Sequence, residues 1–291
     1  MDYQLIKLYC DICHYCKYSI VANEMQRLTN NCRPKFTDEE VICVYIWGIQ
    51  SGIFEVKAIW NFANNYLREY FPFLPGYHAF NKRFVNLASV YASIAELIAN
   101  KKLPHVEGIA NGLLDSMPII VAKSARSGRA KVASEICNKG YNSSREEYYY
   151  GVKVHSIAQK RYETLPIPIG TLVSPASCPD ITCAKEWLWN FRNLVIFCDK
   201  AYIDSEWSKD LFESQNIKIV TPKKLKKGQS FLDAADELFS STVSRVRQTI
   251  ESFFSWLQQM TRIQTASKVR STKGLLAHIH ARLVAAYFML V

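Results

Sequence analysis

Apolar residues recur every three or four positions through the first hundred residues, then give way to short apolar runs. The first rhythm is that of helices packed on one face, the second that of buried strands. Residues 2 to about 30 carry Leu5, Leu8, Ile12 and Tyr15 on one face, which predicts a single helix. Thr37-Asp38-Glu39-Glu40 precedes the apolar run from Val41 and has the form of a capping box. Gly48 and Ser51-Gly52 weaken and end that helix. A third helix spans about Glu55 to Tyr70 and stops before Phe71-Pro72. A fourth opens at Tyr77 and continues to about Asn100, with Asn81, Lys82 and Arg83 in its first turns. Short helices joined by tight turns resemble a helix-turn-helix, whose last helix offers its first polar residues to the DNA major groove. An ordinary solvated helix face is the alternative.

Lys101-Lys102-Leu103-Pro104-His105 is polar and marks a boundary between residues 1–104 and 105–291. Beyond it, strands are predicted over 108–115, 148–158, 166–174, 193–199 and 217–221, the first ending on Asp115 and followed by Ser116-Met117-Pro118. Two prolines, Pro166 and Pro168, make the third of these an edge or irregular strand. Residues 123–147 are polar and basic and predict an exposed loop or hairpin. Helices follow Pro179-Asp180 and Asp204, and two more cover 241–260 and 272–290. The fold class is therefore α/β, a mixed five-stranded sheet with flanking helices, preceded by an all-α domain.

Composition narrows the partner. Thirty-six Lys and Arg face 26 Asp and Glu, a formal charge of +10, which favours a polyanion such as nucleic acid. Lys223-Lys224-Leu225-Lys226-Lys227-Gly228, within the basic loop 223–230, suits phosphates or a solvated charge run equally. Nine scattered cysteines and no signal-peptide layout point to free thiols in a reducing cytoplasm. Cys10, Cys13 and Cys16 lack a second zinc-ligand pair and form a helix-face stripe. His278, His280 and Arg282 interrupt the last apolar stretch, which argues for a core helix and against a membrane span.

The candidate chemistry lies on two buried-looking strands. Each ends on a carboxylate, Asp115 and Asp199. Buried carboxylates need cations, and two brought together repel unless a divalent ion relieves them. Oxygen donors suit Mg²⁺ or Mn²⁺. Glu251, on an amphipathic helix, would complete a site for two ions, and Arg247 projects from the same helix face one turn earlier. Taken singly, these residues are also explained as turn aspartates and a helix salt bridge.

Four segments in this order resemble the successive motifs of DDE transposases of bacterial insertion sequences, with the closest likeness to the insertion sequence 982 family. They are Leu114-Asp115-Ser116-Met117-Pro118, Tyr150-Gly151-Val152-Lys153-Val154-His155, Cys198-Asp199-Lys200-Ala201-Tyr202-Ile203 and Arg247-Gln248-Thr249-Ile250-Glu251. The likeness extends to the helical front end. It implies an RNase H-like catalytic domain and metal-dependent cleavage and strand transfer at terminal inverted repeats. It also implies double-stranded DNA as partner and a dimer or larger assembly on DNA. Asp115, Asp199 and Glu251 would be the metal ligands. Arg247 would touch phosphate or orient the glutamate, with Lys153, His155 and Lys200 close by in motif. A hydrogen-bonded strand histidine is the competing reading of His155. Ala201 stands where the family commonly has glycine. Ser244 and Gln258 stand where related transposases have tyrosine and lysine. A nuclease without joining activity and a non-catalytic DNA-binding protein are the rival readings.

Overall fold

A computed structural model describes residues 2–27, 34–102, 110–143, 145–225, 228–229 and 231–290. The predicted boundary at 104/105 and part of the basic loop 223–230 fall outside the described residues. The chain forms two compact units. One comprises Met1–Ile98, Lys131–Glu135 and Leu257–Val291, and the other comprises Ala99–Ala130 and Ile136–Trp256.

The first unit is helical: α1 (Asp2–Cys16), α2 (Ser19–Met25), α3 (Asp38–Gln50), α4 (Val56–Tyr66), α5 (Tyr77–Asn86), α6 (Ala88–Lys102) as far as Ile98, and α10 (Thr272–Leu290). The capping box at α3 is formed: Glu40 N–H donates to Thr37 Oγ1 at 3.3 Å and Thr37 N–H to Glu40 Oε2 at 2.5 Å. Helix α3 is buried almost all round, from Val41 to Ile49. It ends at Gln50, before Ser51-Gly52 as expected, with Gly48 inside its last turn. A Cβ there would lie 2.6 Å from Ile59, so the glycine lets α4 approach closely. The helix predicted over 2 to about 30 is broken after Cys16, where Tyr18 turns extended. The helix predicted from Tyr77 to Asn100 bends at Leu87 into α5 and α6. Helix α10 packs against α3 and α5 in this unit. No helix among the described residues is long and apolar enough to cross a membrane.

The second unit holds a six-stranded sheet: β1 (Ala110–Lys123), β2 (Asn138–Asn142), β3 (Glu147–Gln159), β4 (Ile167–Pro175), β5 (Leu194–Phe197) and β6 (Ile217–Val220). Strands β1, β3 and β4 are antiparallel neighbours, and β5 and β6 continue in parallel on the far side of β1. This is the RNase H-like mixed sheet expected, with one strand more than the five predicted. The extra strand, β2, comes from segment 123–147, read as an exposed loop or hairpin, and it forms a hairpin with β3. It is short and polar, carries no period-2 signal, and forms because β3 offers it an edge at residues 147–151. At Gly151 a Cβ would meet the Ile119 carbonyl oxygen at 2.0 Å, so β1 and β3 close up only because it is glycine.

The flanking helices are α7 (Asp180–Trp187), α8 (Ser205–Gln215) and α9 (Ala234–Thr261), the last starting seven residues earlier than the predicted 241. One sheet face buries Leu114, Ile157, Leu194, Ile196 and Cys198 with Ala184, Leu188, Trp207 and Leu211. That core fixes which residues of β1 and β5 face the other way.

Candidate active site

Strand parity brings the two aspartates together. Leu113 pairs with Phe197 in the parallel ladder, and Asp115 and Asp199 each follow two residues later. Side chains two apart share a face, so both carboxylates project from the side opposite Leu114, Ile196 and Cys198. Asp115 is not at a strand end as predicted. Strand β1 runs on to Lys123, but its parallel partner stops at Leu113, and Asp115 sits just past the point where the ladder opens. Asp199 follows β5 directly, and its Oδ1 accepts the Lys200 N–H at 2.7 Å to start a short 3₁₀ turn, Lys200–Tyr202.

Helix α9 supplies the rest. Val243, Ile250, Phe253 and Leu257 form its buried stripe, the 3–4 spacing that seats a helix on an apolar surface. Arg247 lies on that stripe and Glu251 beside it. The Arg247 guanidinium reaches all three carboxylates: Nη2 is 3.7 Å from Asp115 Oδ2 and 3.6 Å from Glu251 Oε1, and Nη1 is 3.7 Å from Asp199 Oδ1. These spacings are charge contacts, longer than a normal hydrogen bond. Arg247 Nε is buried and donates to no described group.

Burial pushes the Asp115 carboxyl up to about 6, against the pull of the Ser116 N–H and of Arg247; Asp180 and Glu251 raise it further. The same burial lifts the Cys198 thiol to about 12, which leaves it an apolar packing group.

A polar network adjoins the triad. Ser116 Oγ donates to Asp180 Oδ2 at 3.0 Å, and Lys153 Nζ donates to Asp180 Oδ1 at 2.8 Å and to the Cys178 carbonyl at 3.0 Å. The helix expected after Pro179-Asp180 forms with Pro179 as its N-cap, and the Asp180 side chain is spent on Ser116 and Lys153. In sequence, an aspartate after a proline at a helix start has no mark of that use. His155 is buried, and its Nε2 lies 2.7 Å from Ser174 Oγ. Burial lowers its pKa to about 4, partly offset by Asp180, so it is a neutral strand histidine near pH 7.

Thus Asp115, Asp199, Glu251 and Arg247 meet in one cluster. Lys153 and His155 have partners outside it, and Lys200 is exposed at the turn after Asp199. In the helical unit Lys82 is exposed and Asn81 half-buried. Arg83 donates to the buried Asp38 and to the Met25 carbonyl, turned inward.

Three carboxylates drawn to one guanidinium are a hard-oxygen donor set in excess of their counter-charge, the chemistry that suits a divalent cation. As the side chains stand, no three His, Cys, Asp or Glu among the described residues are close enough to hold an ion. The carboxylates meet at Arg247, not at one another.

A family model described as the transposase DDE domain matches residues 104–272, more than half of the 291-residue chain. No curated protein matches the chain. Members of this family act on DNA and generally use divalent metals. The matched span includes Asp115, Asp199, Arg247 and Glu251, and the chain belongs to the transposase DDE domain family.

Proposed function

We propose that this transposase cleaves DNA at the terminal inverted repeats of its own element and joins the freed ends to target DNA. The carrying observation is the convergence of Asp115, Asp199 and Glu251, from two strands and a helix, on the single guanidinium of Arg247. Asp115, Asp199 and Glu251 would hold two Mg²⁺ or Mn²⁺ ions, in place of the Arg247 charge. Such ions supply an activated water or 3′-hydroxyl and stabilise the leaving oxygen.

The chain's own residues do the rest. Strands β1 and β5 hold two carboxylates in fixed register, so little reorganisation is needed when the phosphodiester arrives. Glu251, on α9 and more than half exposed, is the adjustable member. Arg247, one helical turn before Glu251, would orient that glutamate or meet a phosphate oxygen. Lys200 and Lys82 are exposed cations for the DNA backbone, joined by Asn81. Lys153 and His155 support the site from behind by fixing Asp180 and Ser174. The sequence motifs favour an element of the insertion sequence 982 kind in a bacterial cytoplasm, associated with the nucleoid. They also favour a dimer or larger assembly holding two ends. The division into a DNA-binding front part, residues 1–104, and a catalytic part, 105–291, belongs to the same reading.

The test is cleavage of a DNA fragment bearing the element's repeats, with Mg²⁺, by wild type and Asp199→Asn. The variant should lose at least about 1000-fold in rate, about 4 kcal/mol, while still binding DNA. Undiminished cleavage by the variant overturns the assignment. Offering a precleaved end with a free 3′-hydroxyl separates joining from simple nuclease action. Binding without any turnover by the wild type marks a non-catalytic DNA-binding protein.

A further inference from the structure

The helical unit contains a cavity of about 1060 Å³ between the start of α4, α5 and the segment leading into α10. Its charged lining is lopsided: Lys57, Arg262, Lys268, Arg270 and Arg282 against Glu55. The one carboxylate is already taken, because Lys268 Nζ is paired with Glu55.

Arg282 sets the character of the site. It is 5% exposed, so its charge is largely removed from water. A buried cation is normally paired with an anion. Here every partner is neutral: the Thr261 carbonyl at 2.8 Å, Tyr45 Oη at 2.7 Å, the Phe54 carbonyl at 2.6 Å and His278 Nδ1 at 2.9 Å. His278 contributes no charge. Its Nε2 lies 2.8 Å from the Ile263 carbonyl, so it carries the proton there, and Nδ1 is left to accept from Arg282. The hydrogen bonds of Arg282 are therefore satisfied while its charge is not.

Two helix starts face the same space. Val56, Lys57 and Ala58 of the first turn of α4 line it, and that helix has no side-chain cap bond. Ser271 and Gly274 at the start of α10 line it too. Helix N-termini add positive potential. Phe54 and Tyr77 supply aromatic surface, with the Arg262 guanidinium 5.6 Å from the Phe54 ring centre.

We infer that this cavity binds a few nucleotides of a single DNA strand, with phosphates on Lys57, Arg262 and Arg270 and bases against Phe54 and Tyr77. Cations interleaved with aromatic faces are the chemistry of single-strand binding. The volume is that of a ligand pocket, not of a groove that admits a duplex. The choice of nucleic acid over other polyanions rests on the transposase reading; the excess of positive charge does not.

The test uses fluorescence anisotropy with a labelled single-stranded oligonucleotide, the full-length protein and EDTA, so that the acidic triad plays no part. Lys57, Arg262 and Arg270 are exposed, and the triple alanine variant should keep its circular dichroism melt. Its affinity for the strand should fall at least about tenfold, with the salt slope reduced by about 2, roughly 0.7 per lost phosphate contact. A duplex of equal length should lose less. Unchanged affinity and slope overturn the inference. So does an equal loss for duplex and single strand, which would mark a diffuse surface field. Displacement of the strand by millimolar inorganic phosphate at constant ionic strength also overturns it, since the cavity would then be a small-anion site. Asp199→Asn should bind the strand as wild type does. A wild type that binds the strand but never cuts element ends defeats the transposase reading and leaves the cavity standing. A wild type that cuts, beside a triple variant that binds normally, does the reverse.

Discussion

Two arginines organise the two units, and their surroundings are opposites. Arg247 in the sheet unit faces three carboxylates at 3.6–3.7 Å, and its Nε has no partner among the described residues. Among the described residues, Arg282 in the helical unit faces four neutral acceptors and no carboxylate. The first neighbourhood has more negative charge than one guanidinium balances, so it favours further cations. The second has a buried positive charge with nothing opposite, so it favours an anion. Side-chain identity is the same in both places; the sign of the missing ligand is set by the neighbours.

The comparison can be broken most forcefully at the acidic end. Asp199→Asn, with a loss of about 1000-fold or more in Mg²⁺-dependent cleavage, is the largest effect expected. If cleavage survives, the cluster around Arg247 is a structural salt-bridge network.

Acid should damage the protein through a buried neutral histidine of the sheet unit. His155 has a pKa of about 4 in the folded state against an ordinary 6.5. Its pKa is depressed on folding, so the unfolded chain takes up the proton first. The stability it contributes is present above pH 6.5 and is lost as pH falls toward 4, by about 3 kcal/mol in all. Urea denaturation of wild type and His155→Gln across that range should show the flatter profile in the variant, with parallel profiles counting against the burial argument.

At the basic end, Arg282→Met removes the uncompensated charge but strands two carbonyls and the Tyr45 hydroxyl. The orphaned acceptors should outweigh the relief, for a net loss of about 2 kcal/mol in urea denaturation. A variant as stable as wild type would show that the guanidinium is held for its charge alone.

The smallest effect sharpens the acidic side. Arg247→Ala leaves three carboxylates to repel one another, so the metal-free melting temperature should fall, by the equivalent of about 1 kcal/mol. Added Mg²⁺ should then raise that temperature more in the variant than in wild type, because no guanidinium competes for the carboxylates. An equal Mg²⁺ response in both would mean that Arg247 and the cation occupy different places.

Much of this was legible beforehand wherever periodicity carried the information. The capping box at Thr37 and Glu40, the apolar run of β5 and the amphipathic face of α9 are local patterns, and each formed where its pattern lay. Strand β2 was legible only as one of two alternatives, loop or hairpin, because a five-residue polar strand exists only when an edge is offered to it. The packing role of Gly48 was not legible for a related reason: it lies in Ile59 of the next helix, not in its own helix. The helix start at Pro179-Asp180 was legible, but the use of the Asp180 side chain was not, because its partners Ser116 and Lys153 come from two strands.

The sequence by itself determined the alternation of helical and strand rhythms, the basic charge and the order of the four motifs, since these depend on neighbours along the chain. Only the tertiary structure decided that Asp115 and Asp199 share one face. That follows from the parallel register of Leu113 with Phe197, which no single segment encodes. Only the tertiary structure, too, gave Arg247 three carboxylates and Arg282 none. Charge balance at a buried group is a sum over residues far apart in sequence, and folding alone chooses which residues enter it.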